Sequence, residues 1–427
     1  MDALNFHRGN FLGNGKVEII PKVPLTRETL SLAYTPGVAE VSKAIASGED
    51  PCEYTNRCNT VAVVSDGTRV LGLGDIGPSA ALPVMEGKAL LFKAFGGVDA
   101  FPLVLAEKDP ERFIQVVKAV SPSFGGINLE DIASPKCFYI LERLRNELDI
   151  PVFHDDQQGT ASVVLAGLLN ALKVVGKKLG EVSIALFGAG AAGFATLRLL
   201  TKAGVKPQNV RVVELVDGKP KILTPDLPLE ELFPYRGELL SKTNGEGIEG
   251  GPEEALNGAD VLISFTRPGP GVIKPEWIEK MADDAIVFPL ANPTPEILPE
   301  EAKKAGARIV ATGRSDYPNQ INNLLGFPAI FRGALDTRAR TITDGMVVAA
   351  SRAMASVIEP SEEEIIPSPF HPEVHPAVAR AVAEEVMREG VARTRVDPEE
   401  VAERLRMWRD FYSRFIVPMN EERKRYR

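Results

Sequence analysis

Short apolar runs alternate with longer apolar stretches between about residue 160 and residue 357 of this chain. Runs of four to eight apolar residues indicate buried strands, and longer stretches with a helical period indicate helices. Strands that alternate with helices in this way are typical of a parallel α/β sheet. The predicted strands are 182–187, 210–216, 260–265, 285–290 and 307–312, and the predicted helices are 162–175, 194–203 and 343–357.

The chain before residue 160 mixes short apolar runs with glycine. Residues 61–67 predict a buried strand that runs into a turn, and residues 87–95 predict a helix. The segment 70–78 between them is too rich in glycine for a regular element. Glycine there allows the backbone to pass close to a neighbouring strand or to a ligand.

The C-terminal part predicts a surface connection over 359–376 and then two helices. The second helix has an apolar face, because its apolar residues recur at spacings of three and four. These residues are Val401, Leu405, Trp408, Phe411 and Phe415. Such a face must dock, either on the first domain or on a second subunit.

The composition predicts a soluble protein of the cytoplasm with an acidic surface. The 427 residues include 49 Lys and Arg against 58 Asp and Glu, a net charge of −9, which argues against nucleic acid and anionic membranes as partners. The most apolar run, 163–175, is shorter than the roughly 20 residues of a membrane span. The N-terminus shows no signal peptide, and three cysteines form no disulfide framework, which fits a reducing compartment.

A glycine-rich run at Gly188, Ala189, Gly190, Ala191, Ala192 and Gly193 has the pattern G-x-G-x-x-G. It follows a predicted strand and opens a predicted helix, which is the context of a dinucleotide-binding turn. Glu214 lies 21 residues beyond Gly193, where an acid that binds the adenosine ribose is expected. Such an acid repels a 2′-phosphate and therefore favours NAD over NADP. Asp217 is a rival for this role, and Arg211 or Lys219 could still serve a 2′-phosphate.

Two acidic pairs, Glu130-Asp131 and Asp155-Asp156, each follow an apolar run. Carboxylates from two chain ends can converge on a hard divalent ion such as Mg²⁺ or Mn²⁺. The alternative for each pair is a solvated turn or a helix cap. The spacing of His371 and His375 could suggest zinc, but the proline-rich segment around them is unsuited to the helix that such a site needs.

Segments spread over about residues 10–393 resemble the malic enzyme family in its short prokaryotic form. The matching segments are Y-T-P-G-V-A at 34–39, S-D-G-T at 65–68, L-G-L-G-D-I-G at 71–77, P-V-M-E-G-K-A-L-L-F at 83–92, F-G-G-I-N-L-E-D-I at 124–132, F-H-D-D-Q-Q-G-T-A at 153–161, A-N-P-T-P-E at 291–296 and S-D-Y-P-N-Q-I-N-N at 315–323. The resemblance implies oxidative decarboxylation of (S)-malate to pyruvate and CO2, with NAD or NADP as acceptor and Mg²⁺ or Mn²⁺ as metal. It also implies a homodimer.

The family's roles carry over by position. Lys88 would be the general base, and Tyr34 the acid that protonates the enol. The metal would be held by Glu130, Asp131 and Asp156, with Asp155 beside it. The residues that would meet substrate and nicotinamide are Asn292, Asn322, Asn323 and, for a substrate carboxylate, Arg69.

The predicted fold class is α/β with three parts. These are an N-terminal α/β substrate domain (1–158), a doubly wound Rossmann-type dinucleotide-binding domain (159–393) and a C-terminal amphipathic helix (394–427). Three rival functions remain at this point: an amino-acid dehydrogenase that needs no metal, a malate dehydrogenase without decarboxylation, and a dinucleotide sensor without catalysis. Taken without the resemblance, Lys88 and Tyr34 could be a surface lysine and a packing tyrosine.

Overall fold

The computed structural model describes Leu4, His7 and residues 15–419 of the chain. The first sheet has four parallel strands in the order β2-β1-β3-β4. Its strands are β1 (Thr60–Ser65), β2 (Asp99–Val104), β3 (Gly126–Leu129) and β4 (Val152–His154). All six residues of β1 are buried, because helices cover both faces of a parallel sheet.

The second sheet has six strands in the order β10-β9-β8-β5-β6-β7. All neighbours are parallel except β6 and β7, which form an antiparallel hairpin. Its strands are β5 (Ile184–Phe187), β6 (Val210–Val216), β7 (Lys219–Ile222), β8 (Val261–Ser264), β9 (Ala285–Pro289) and β10 (Ala307–Val310). The strand order reverses between β5 and β8, so this is a Rossmann-type sheet with its switch point at that pair.

Seventeen α-helices lie within residues 15–419. The first nine are α1 (Arg27–Ala33), α2 (Val38–Ala46), α3 (Pro51–Tyr54), α4 (Pro78–Gly96), α5 (Pro110–Val120), α6 (Lys136–Glu147), α7 (Thr160–Val175), α8 (Ala191–Ala203) and α9 (Leu229–Leu232). The other eight are α10 (Gly237–Leu240), α11 (Pro252–Leu256), α12 (Pro275–Ile278), α13 (Pro299–Lys304), α14 (Phe327–Asp336), α15 (Asp344–Ser356), α16 (Val374–Arg388) and α17 (Pro398–Phe411). The predicted fold class is confirmed.

The long apolar helix α7 forms part of the core. The window from Asp155 to Val175 is long and apolar enough to cross a membrane, but 72% of its most apolar part is buried inside the protein. Eleven residues of α7 itself are buried. This burial is what a core helix of a globular protein shows.

The C-terminal helix α17 docks within the same chain, mainly on α16 and to a smaller extent on α4. Val401 and Leu405 are buried, and the Trp408 indole N–H donates to the carbonyl of Lys93 in α4 at 2.7 Å. Phe411 and Phe415, at the end of the predicted apolar face, remain exposed. The sequence leaves open the first domain or a second subunit, but the helix packs mostly on α16, which belongs to the predicted dinucleotide-binding part, and among the described residues of the helix only Trp408 hydrogen-bonds to the first domain.

Helices α1 and α2 belong to a segment that makes little contact with the rest of the chain. We refer to residues 17–46 as the N-terminal arm. Neither helix contains a buried residue. The arm nevertheless carries exposed apolar side chains, namely Val17, Ile19, Ile20, Val23, Leu25, Leu30, Leu32 and Val38.

The cysteines differ from the prediction. Cys52 and Cys58 form a disulfide with their Cα atoms 5.3 Å apart, whereas Cys137 is buried and free. The sequence indicates no disulfide framework, and it does not predict this single short-range bridge. The short turn between α3 and β1 brings the two residues within the Cα distance that a disulfide needs.

Candidate active site

A cavity of about 1020 Å³ lies between the two sheets, at the carboxyl ends of their strands. Active sites of open parallel sheets form at these ends, because the loops after the strands converge there. The cavity is lined by residues from both sheets, among them Lys88, Glu130, Asp131, Asp156, Asn292 and Asn323.

Three predicted metal ligands come together at the end of the first sheet. Glu130 and Asp131 follow β3, and Asp156 follows the neighbouring strand β4. Each offers one carboxylate oxygen, and these oxygens lie within 4.8 Å of one another. Asp131 Oδ2 is buried and has no hydrogen-bond partner among the described residues, while Asp156 Oδ2 accepts from the Asp131 backbone N–H at 2.8 Å. Clustered carboxylates with an unsatisfied buried oxygen fit a hard divalent cation.

The buried carboxylates of this group repel one another. Burial raises the pKa of Glu130 and of Asp156, and that of Asp131 rises to about 7 through burial and the nearby Asp156 charge. Like charges held this close in a buried site resist ionisation. A bound divalent cation would remove this penalty.

Lys88 lies on α4 and is buried against this group. Its Nζ is 3.1 Å from Glu130 Oε1, forms an ion pair with Asp155, and lies 4.4 Å from the centre of the Phe327 ring. Burial lowers the pKa of Lys88, but the Asp155 and Glu130 carboxylates outweigh burial and raise it. Lys88 is therefore a buried, ion-paired lysine, not a surface lysine.

Asp155 connects Lys88 to the second sheet. The side chain is fully buried in the turn Asp155–Gly159 between β4 and α7. Its Oδ2 accepts hydrogen bonds from Lys88 and, at 2.6 Å, from Asn323 Nδ2. Asn322 Oδ1 accepts from the Leu324 N–H at 3.1 Å and so supports the turn that carries Asn323.

The glycine turn joins β5 to α8 as the sequence predicts. Gly188 has a φ of +86°, which favours glycine. A Cβ on Gly193 would lie 1.8 Å from the Gly188 carbonyl oxygen, so only glycine allows this helix to start so close to the strand. Residues 190–193 line the cavity, and free N–H groups at a helix start attract phosphate.

Glu214 lies next to this turn. Its Oε2 accepts a hydrogen bond from the Ala189 N–H at 2.7 Å. The rival Asp217 lies on the exposed β6–β7 hairpin and pairs with Lys221 at 3.9 Å. Arg211 donates to the Ala255 and Asn257 carbonyls on another side of the strand.

The chain matches two family models. The model for the malic enzyme N-terminal domain matches residues 14–145. The model for the malic enzyme NAD-binding domain matches residues 157–213 and 257–391.

The chain belongs to the malic enzyme family.

Relatives and solved structures agree with this assignment. The NAD-dependent malic enzyme of Geobacillus stearothermophilus is 55% identical over 386 residues, which is 89% of this chain and 78% of the relative. The bifunctional malic/malolactic enzyme of Bacillus subtilis is 49% identical over 95% of this chain and 97% of its own length. The crystal structure of malic enzyme from Pyrococcus horikoshii is 74% identical, with a TM-score of 0.97 over 100% of this chain and 99% of that chain.

Malic enzymes catalyse the NAD- or NADP-dependent oxidative decarboxylation of malate, and this chain carries both domains of the family. The segment 214–256 lies outside the matched residues. It contains Glu214, the β7 hairpin strand and the short helices α9 and α10.

Asn292, Asn322 and Arg69 line the cavity, whereas Tyr34 does not. Tyr34 lies just after α1 in the N-terminal arm and is 70% exposed. The cavity of this malic enzyme is thus lined by all the predicted substrate-binding and metal-binding residues and by the predicted base, but not by the predicted acid.

Sequence reasoning missed two residues of the site. Asn128, which is fully buried on β3, donates to Glu130 Oε2 at 3.0 Å. The sequence feature that could have indicated Asn128 is a single amide side chain within an otherwise apolar strand. Arg267 follows β8 and lines the cavity. The sequence feature that could have indicated Arg267 is its position as a polar residue just beyond the carboxyl end of a predicted strand.

Proposed function

We propose that this malic enzyme converts (S)-malate to pyruvate and CO2 in a divalent-metal-dependent reaction, with NAD as the preferred acceptor. One observation carries the proposal most strongly. Lys88, three clustered carboxylates and the glycine turn line one cavity between the two sheets. A dinucleotide sensor would have no use for the buried lysine beside the acidic group.

Glu130, Asp131 and Asp156 would hold the metal. A Mg²⁺ or Mn²⁺ ion there would supply a Lewis acid for the malate C2 oxygen and for the charge that develops as CO2 leaves C4. Oxygen ligands suit these hard ions, and the free thiol of Cys137 is not in this group.

Lys88 acts as the general base. A bound divalent cation would offset the negative charge of Glu130. The pKa of Lys88 would then fall toward the range in which its amine accepts a proton. Lys88 Nζ then takes the proton of the C2 hydroxyl as hydride leaves C2. The hydrogen bond from Asn323 to Asp155 holds the lysine's carboxylate partner in place during this step.

Tyr34 acts as the acid that protonates C3, and it serves the cavity of a second copy of the chain. Two features support this assignment: Tyr34 lies outside the cavity of its own chain, and its arm exposes apolar residues that have no cover. A homodimer in which the arms are exchanged would bury these residues and complete both sites.

The preference for NAD rests on Glu214. Its carboxylate is fastened beside the glycine turn by the Ala189 N–H and by the Leu215 N–H at 2.9 Å. A fixed negative charge there repels a 2′-phosphate.

Malate-dependent reduction of NAD and NADP, assayed in parallel with Mn²⁺, Mg²⁺ or EDTA, tests the proposal. We expect faster reduction of NAD, and no reduction with EDTA. Activity that survives EDTA would favour an amino-acid dehydrogenase type of chemistry. Oxaloacetate as the final product would favour a malate dehydrogenase that does not decarboxylate.

A further inference from the structure

Arg236 is a buried charge with little to bind it. It is 9% exposed, and one of its terminal nitrogens donates to the Ala189 carbonyl at 2.5 Å. Its Nε is buried without a hydrogen-bond partner among the described residues, and the Glu214 carboxylate acts on it electrostatically without forming an ion pair. Buried arginines are normally paired, so this position needs an explanation.

Two aromatic rings hold the guanidinium in place. It lies 5.1 Å from the centre of the Phe138 ring and 5.2 Å from that of Phe233. Phe138 belongs to α6 of the N-terminal domain, whereas Phe233 and Arg236 belong to the segment 214–256 outside the matched family residues. This segment therefore brings a cation to the glycine turn.

The hydrogen bond from Arg236 fixes the direction of one peptide unit. The Ala189 carbonyl and the Gly190 N–H belong to the same planar trans peptide, so they point in opposite directions. Arg236 holds the carbonyl on the side away from the cavity, since neither Arg236 nor Ala189 lines it. Gly190 does line the cavity, and because its N–H lies opposite the Ala189 carbonyl, it points away from Arg236.

Glu214 fixes the preceding peptide unit through the Ala189 N–H. The two side chains together leave the turn no freedom to rotate either peptide that flanks Ala189. Because the N–H is already oriented, less free energy is lost in ordering the turn when an anion binds.

We propose that Arg236 is a positioning residue for the dinucleotide, which aims the Gly190 N–H at the pyrophosphate. The inference rests on dinucleotide binding in this cavity, as proposed above. Arg236 does not touch the dinucleotide on this account, and it acts through the Ala189 carbonyl alone.

Calorimetric titration of NADH and of ADP-ribose into the full-length protein, without malate, tests the inference. Arg236→Met keeps the length and apolar stem of the side chain but removes every donor. Its dissociation constants for both ligands should rise about tenfold, which corresponds to about 1.4 kcal/mol. The KM for NAD should rise with them, while kcat and the KM for malate should stay unchanged.

Two further variants separate positioning from general stability. Arg236→Lys retains a donor for the Ala189 carbonyl and should recover most of the affinity. Arg145→Met is the matched control, because Arg145 is also largely buried and donates to a backbone carbonyl, that of Ile342, at 2.7 Å. It should bind both ligands as the wild type does.

Wild-type affinity in folded Arg236→Met would overturn the inference, and so would a lysine variant as weak as the methionine variant. If Arg236→Met does not fold, Arg236→Gln decides in its place, because the shorter side chain cannot reach the Ala189 carbonyl. Affinity equal to the wild type in that variant would again overturn the inference. Failure of the wild type itself to bind NADH would instead contradict the proposed function.

Discussion

Lys88 shows what a single residue's sequence context leaves out. The sequence places Lys88 near the start of an apolar helix, where lysines usually reach the surface. Only the family resemblance implies that it is a general base. Its partners, Glu130 and Asp155, lie 42 and 67 residues further along the chain. The burial of this ion-pair network and its effect on the pKa of Lys88 could not be predicted, because they arise only when two strands align.

The metal assignment makes a residue-level prediction. Asp156→Asn removes one of three negative oxygen ligands, so Mn²⁺ affinity and activity should fall together, by at least about tenfold. Isothermal titration with Mn²⁺ measures the first, and malate-dependent reduction of NAD the second. Asp217→Asn, on an exposed hairpin, is the control and should change neither. Wild-type Mn²⁺ affinity in Asp156→Asn would contradict the assignment.

A second residue-level prediction concerns the stability of the protein at low pH. Burial lowers the pKa of His375 to about 3, from about 6.5 in an unfolded chain. Between these values the unfolded chain binds a proton that the folded chain does not, so stability falls as the pH drops below about 6.5, by at most about 1.4 kcal/mol per pH unit. His375→Gln keeps a donor for the Leu324 carbonyl but cannot titrate, so its urea midpoint should fall less steeply with pH.

His371→Gln is the control for this titration. It removes a histidine from the same segment but leaves the contact of His375 with the Leu324 carbonyl in place, so it separates the loss of His375 from the loss of any nearby histidine. Identical pH dependence in His375→Gln and the wild type would refute the account of His375. The His375 ring stacks on Phe95 at 4.7 Å and is buried in the first turn of α16, so the predicted surface connection over 359–376 is wrong at its end.

At the scale of elements, the second sheet was predictable and the first largely was not. Each of the parallel strands β5, β6, β8, β9 and β10 lies in a predicted run, because strands covered on both faces are continuously apolar. Strand β4 has only three residues, β3 includes a glycine and an asparagine among its four, and β2 contains Pro102 and is only partly buried. The division at 158/159 and 393/394 stays a prediction.

The glycine turn makes a prediction at this scale. A Cβ on Gly193 would overlap the Gly188 carbonyl, whereas a Cβ on Gly190 would meet nothing within 4 Å. Gly193→Ala should therefore lower the melting temperature and weaken NADH binding. Gly190→Ala should melt as the wild type does but still bind NADH more weakly, because the added methyl group occupies the space of the pyrophosphate. Differential scanning calorimetry and NADH titration separate the two effects.

At the scale of the whole molecule, the N-terminal arm is the feature that one chain does not explain. Its exposed apolar residues and the position of Tyr34 agree with an exchanged dimer, which the sequence indicates only through the family resemblance. Amphipathic spacing cannot tell a face that docks within the chain from one that docks on a partner. The C-terminal helix illustrates this point, since it docks within the chain.

Mixing two defective variants tests the exchange. Tyr34→Phe keeps the metal carboxylates, and Asp156→Asn keeps the tyrosine, so each alone should exchange pyruvate methyl protons with D2O poorly. After subunit reassociation, half of the dimers are hybrids with one complete site, so about a quarter of the wild-type exchange rate should return. A mixture that shows only the average of its two components would place Tyr34 in its own chain's site. A monomer in sedimentation would refute the dimer itself.

The central claim is oxidation coupled to decarboxylation at a metal site. Its most direct test is the release of labelled CO2 from malate labelled at C4, measured together with NADH and pyruvate. With Mn²⁺ the account predicts CO2, NADH and pyruvate in equal amounts, and none of the three with EDTA. NADH formed without labelled CO2, or equal turnover with and without EDTA, would contradict it.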